Sequence, residues 1–153
     1  MRSLTLTPLL ALALVACGDK SPEPGSDSLD PAVAALPPEV KNPHVMGFES
    51  GHALDSLGNV IGGVALRFSR GDTIFVSVRA QYVAAGAKID AVLLQGKTNL
   101  AKDAGVVGNS DPATGAAIVP IRLARATPWP AGSYQIEVFL DGASQGLKPI
   151  TIE

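Results

Sequence analysis

Residues 133–140 read Ser-Tyr-Gln-Ile-Glu-Val-Phe-Leu, which puts Tyr134, Ile136, Val138 and Leu140 on every second position. A period of two lines one face of an extended strand, whereas a helix would scatter those side chains around its axis. The same period recurs along the chain. Ile74, Val76 and Val78 alternate with Thr73, Ser77 and Arg79. Ile89, Ala91 and Leu93 alternate with Lys88, Asp90 and Val92, and Ala117, Val119, Ile121 and Leu123 share one face of 116–123. The β-branched content of 73–82 suits a pleated, half-buried surface. No convincing amphipathic helix accompanies these segments.

Turn residues separate the alternating runs. Ser56-Leu57-Gly58-Asn59, Ser69-Arg70-Gly71-Asp72 and Ala84-Ala85-Gly86 are breaks, and Asp141-Gly142 is a strong turn signal whose loop is expected to run to Gln145. A first strand is expected over 45–54 and a second over 60–68, softened by Gly62-Gly63. A last strand covers 146–152. The Gly-, Asn-, Asp- and Ala-rich stretch 96–114 reads as a loop with one short edge strand near 105–107. Pro120 lies off the core register of its strand and marks an edge or a bulge.

About seven short strands at this spacing indicate an all-β fold, an antiparallel β-sandwich of immunoglobulin-like type. A small closed barrel is the alternative, and pairing of the first and last strands separates the two. Two stretches carry a resemblance. Trp129-Pro130-Ala131-Gly132-Ser133-Tyr134-Gln135-Ile136-Glu137-Val138-Phe139-Leu140-Asp141-Gly142 resembles the penultimate strand and hairpin of bacterial Ig-like domains. Phe68-x-x-Gly71-Asp72-Thr73-Ile74-Phe75-Val76 resembles the start of a strand in the same domains. The resemblance implies a fold and a habit of occurring in envelope proteins. It implies no reaction.

The N-terminus has a different character. Arg2 precedes a 13-residue Leu- and Ala-rich stretch, 4–16, interrupted by Thr5, Thr7 and Pro8. That length suits a signal-peptide core and is too short to span a bilayer as a helix. Leu14-Val15-Ala16-Cys17 resembles a bacterial lipobox. The resemblance implies a signal peptide over 1–16, lipid on the Cys17 thiol, cleavage before Cys17 and acylation of the new amino terminus. Cys17 is the only cysteine, so no internal disulfide forms. Two or three acyl chains make a stable anchor, at ~0.8 kcal/mol per buried methylene. In enteric-type lipoproteins Asp directly after the cysteine resembles an inner-membrane retention signal. Here Gly18 stands there and Asp19 one place later, which favours the outer membrane.

Residues 17–43 read as the lipidated cysteine and a flexible acidic tether. Pro22, Pro24, Pro31, Pro37, Pro38 and Pro43 block helix and sheet. Asp30 and Pro31 allow one helical turn over 31–36. A coil of this length spans ~25–30 Å. Five acids against two lysines give 18–43 a net charge of −3, whereas 44–153, the expected domain, holds nine acids and nine bases. With no basic stripe, nucleic acid is not an expected partner.

Two common catalytic signatures are missing: there is no His-Glu-x-x-His motif or phosphate loop. His44 and His52, with Glu49 and Asp55, would need a turn between them to share a metal, because eight extended residues separate the histidines by ~25 Å. Asn109-Ser110-Asp111-Pro112 is oxygen-rich but lacks the spacing of an EF-hand, so an Asx-type turn is expected. Two readings are open for Trp129, between Pro128 and Pro130. It is an exposed binding aromatic, or it caps the sandwich with its N–H bonded locally. Tyr134 reads as a tyrosine-corner-like structural residue. The expected function is a non-enzymatic envelope lipoprotein, without metal or cofactor, that contacts a protein or the cell wall. The alternative is a small-ligand or glycan-binding lipoprotein that uses the Trp129 end.

Overall fold

The computed structural model describes residues 41–153, and the signal peptide, Cys17, the lipobox, the 31–36 turn and most of the tether lie outside the described residues. Within 41–153 the chain is all-β. Seven strands of eight to ten residues form the body: β1 (His44–Gly51), β5 (Ile74–Gln81), β6 (Lys88–Gln95), β7 (Thr98–Val106), β8 (Ala116–Leu123), β9 (Gly132–Leu140) and β10 (Ala143–Ile152). Three two-residue strands lie between the first two of these: β2 (Ala53–Leu54), β3 (Val60–Ile61) and β4 (Arg67–Phe68). Among the described residues there is no helix, so none long and apolar enough to cross a membrane.

The strands form a three-stranded sheet, β1-β5-β8, a five-stranded sheet, β4-β10-β9-β6-β7, and a small β2-β3 pair. The alternating positions read from the sequence point into one core shared by the two larger sheets. Ile74, Val76, Val78 and Val119 from one sheet, and Ile89, Leu93, Ile136 and Val138 from the other, are fully buried. Burying one such side chain stabilises by ~1.5–3 kcal/mol.

β1 and β10 share no ladder, which removes the closed barrel. Only side chains join their neighbouring edges. Gln145 Oε1 accepts the Val45 N–H at 3.2 Å, and Lys148 Nζ donates to the Phe48 carbonyl. Pro120 is on β8, an edge strand, with its side chain exposed opposite Ser77. An edge strand tolerates the missing N–H.

Four expectations need correction. The loop expected over 96–114 holds the nine-residue strand β7, paired along its length with β6. As an edge strand it has Asn99, Lys102 and Asp103 in solvent, so alternation is weak. Gly105 also lies on it because a Cβ there would collide with Val119 and come within 2.9 Å of the Pro120 carbonyl. The strand expected over 60–68 is two short pieces, since Gly62 and Gly63 both take positive φ, 79° and 97°. The loop after Leu140 does not reach Gln145. Asp141 (φ 49°) and Gly142 (φ 83°) alone close the hairpin, and the irregularity at Gln145 is a bulge inside β10. Finally, the sheets are not wholly antiparallel, because β4 runs parallel to β10.

Candidate functional site

The strand registers define two ends of the domain. His44 is opposite Gln81, and Gln81 is opposite Ala116, so residues 41–43 join the domain at that end. Ile74 is opposite Leu123, so the segments 69–73 and 124–130 meet at the other end. Trp129 lies there.

The Trp129 side chain is 1% exposed and belongs to the core. Its indole N–H donates to the Asp72 carbonyl at 2.7 Å. Its backbone N–H donates to the Arg70 carbonyl at 2.8 Å, and its own carbonyl accepts from Arg70 Nε at 2.9 Å. Three hydrogen bonds therefore lace 124–130 to the Ser69–Asp72 turn, which closes on itself through Ser69 N–H to Asp72 Oδ2 at 2.7 Å. The Arg125 guanidinium lies 5.4 Å from the indole centroid. Of the two readings of Trp129, the geometry matches the capping one: no ring face stands in solvent for a ligand to stack on. Nearby, Tyr134 donates its hydroxyl to the Pro130 carbonyl at 2.5 Å, a bond of tyrosine-corner type.

The two laced segments border a cleft of about 170 Å³, lined by Arg70, Asp72, Arg125 and Trp129 among others. Among the described residues, neither guanidinium has a carboxylate within ion-pair distance. Asp72, the acid in the cleft, has His52 Nδ1 at 3.4 Å from the same oxygen that accepts Ser69 N–H. A larger concavity, about 270 Å³, lies where β1 and β5 approach β10, bordered by Glu49, Ser77, Arg79 and Lys148. There one of the two cations has a carboxylate partner and the other a carbonyl. Arg79 faces Glu49 at 3.8 Å, and Lys148 is bonded to the Phe48 carbonyl and lies over the Phe48 ring. Of these two concavities, the cleft beside Trp129 is the one in which no arginine has a carboxylate within ion-pair distance among the described residues.

The remaining candidates do not converge on it, apart from His52 beside Asp72. His44 Nδ1 lies 2.9 Å from the Asn42 carbonyl at the opposite end of β1 from His52, which also packs 4.8 Å from the Phe68 ring. Asp55 closes its own turn through Leu57 and Asn59 N–H groups. Hydrogen bonds from Asn59, first through its backbone, hold the Asp55 carboxyl below its ordinary value. Asp111 accepts Ala113 and Thr114 N–H groups at 2.7 and 3.1 Å, the expected Asx-type turn, and these bonds lower its carboxyl in the same way. Those oxygens serve backbone donors.

Sequence reasoning singled out Trp129 but missed Arg70 and Arg125. A signal was there. Of the five arginines in 44–153, four (Arg67, Arg70, Arg122 and Arg125) lie in or just beside the two segments that meet at this end. Reading them together requires knowing that β5 and β8 are neighbours. No family model matches this chain, and no curated protein matches it.

Proposed function

We propose that the protein is a lipid-anchored lipoprotein of the bacterial envelope, at the outer membrane, whose Ig-like β-sandwich is non-enzymatic and contacts an envelope protein or the cell wall. The observation that carries this reading is Leu14-Val15-Ala16-Cys17 at the end of a short apolar stretch, followed by a proline-rich acidic segment. Two features support the Ig-like assignment. Two sheets bury one core, and the Tyr134 hydroxyl ties back to Pro130 four residues upstream. The chain joins the domain at the 41–43 end.

The test is a photo-crosslinking residue at Ala126, which is exposed, compared with one at Val106, also exposed and at the other end. In intact cells position 126 is expected to give one discrete adduct with an envelope protein or peptidoglycan, and position 106 none. No adduct from 126 would remove this reading. Ligand or glycan binding at the same end is the second reading. The cleft favours it, although the grip would come from arginines and not from an exposed indole.

A further inference from the structure

We propose that the cleft between 69–73 and 124–130 is a subsite for an oxyanion, the carboxylate or phosphate group of a larger envelope ligand. The proposal rests on the reading that this end of the domain makes contacts, and it specifies their chemistry.

Three observations carry it. First, the two guanidiniums rest on one residue. Arg70 Nε is held by the Trp129 carbonyl at 2.9 Å, and Arg125 lies 5.4 Å from the Trp129 ring centroid. With Nε committed, the terminal nitrogens of Arg70 remain as donors in a fixed fork, the geometry that suits an oxyanion. Stacking over an indole likewise restrains Arg125 without neutralising it. Second, neither charge is met by a carboxylate among the described residues, while Arg67 and Arg79 have Glu153 and Glu49 within 4 Å. Third, the acid that shares the cleft, Asp72, turns its Oδ2 to Ser69 N–H and His52, and it stands alone against two guanidiniums. The frame exists before any ligand arrives, since Trp129 is buried and triply bonded, so little ordering cost remains on binding. The small volume fits one charged group and not a whole glycan.

Trp129 is the only tryptophan in the chain and reports on the cleft directly. The full chain in non-ionic detergent is titrated with inorganic phosphate and, separately, with acetate, against chloride at matched ionic strength. A saturable change in Trp129 emission with one oxyanion and not with chloride is expected, and the arm that saturates at lower concentration identifies the group. Arg125→Gln should weaken it about tenfold, the loss of one charge-assisted contact. Arg79→Gln, in the separate concavity where β1 and β5 approach β10, should leave it unchanged. The absence of saturation in both arms would overturn the proposal. So would an equal response in Arg125→Gln, provided that variant melts like the parent. None of these readouts involves the anchor or a partner. Adducts from position 126 without oxyanion binding would therefore reject the ligand class alone.

Discussion

The Trp129 indole donates its N–H to the Asp72 carbonyl at 2.7 Å, across 57 residues of sequence. This bond joins the turn that precedes β5 to the segment that follows β8, and it closes one end of the core. Trp129→Phe keeps most of the apolar surface but leaves the Asp72 carbonyl without its donor. The expected loss is about 1–3 kcal/mol in urea unfolding. Trp129→Ala adds a cavity, for about 3–5 kcal/mol in total. If Trp129→Phe were as stable as the parent, the ring would not be the strut described.

Tyr134→Phe removes only the hydroxyl that reaches Pro130. A loss of about 1 kcal/mol is expected, with the same unfolding slope, since the ring stays buried at 2% exposure. A change in slope would mean that the bond holds more than its own corner.

Asp90 lies between two lysines, with Lys88 Nζ 3.2 Å from one oxygen and Lys102 Nζ 3.2 Å from the other, and its side chain is 14% exposed. Burial works to raise its carboxyl, but hydrogen bonds and charge from Lys88 and Lys102 outweigh it and hold it below the ordinary value. A depressed carboxyl stabilises the fold above its unfolded value, ~3.9, and that contribution disappears as pH falls through the lower folded value. Asp90→Asn should therefore cost about 0.5–1.5 kcal/mol at neutral pH. The gap between variant and parent should close under acid and shrink in high salt. A gap that persisted at pH 2 would assign the loss to packing.

Gly105→Ala tests the close approach of β7 to β8. The added methyl meets Val119 and lies 2.9 Å from the Pro120 carbonyl, so about 1–3 kcal/mol is expected to be lost. Gly108→Ala, with nothing within 4 Å and no positive φ, should be near neutral. Thermal unfolding of the two side by side decides it.

What the sequence made legible follows from where alternation is strong. Buried central strands such as β5, β6 and β9 write their core face directly as Ile74-Val76-Val78, Ile89-Ala91-Leu93 and Tyr134-Ile136-Val138. β7 escaped because an edge strand beside a close neighbour uses glycine and alanine where the period would need Val or Ile. The 60–68 stretch misled because its apolar residues Ile61, Val64 and Leu66 are about half exposed. They do not mark a buried face. The cleft was hidden for another reason. Trp129 stands out in any reading, but Arg70 and Arg125 gain meaning only when strand pairing brings their loops together.

Mass spectrometry of the mature N-terminus from membrane fractions tests the proposed lipid anchor at Cys17. The mature protein is expected to begin at Cys17, with diacylglycerol on its sulfur and an acyl chain on its amino group, and Cys17→Ser to remain unprocessed and unlipidated. A mature protein that begins elsewhere, or a Cys17→Ser variant processed and membrane-bound like the parent, would contradict it.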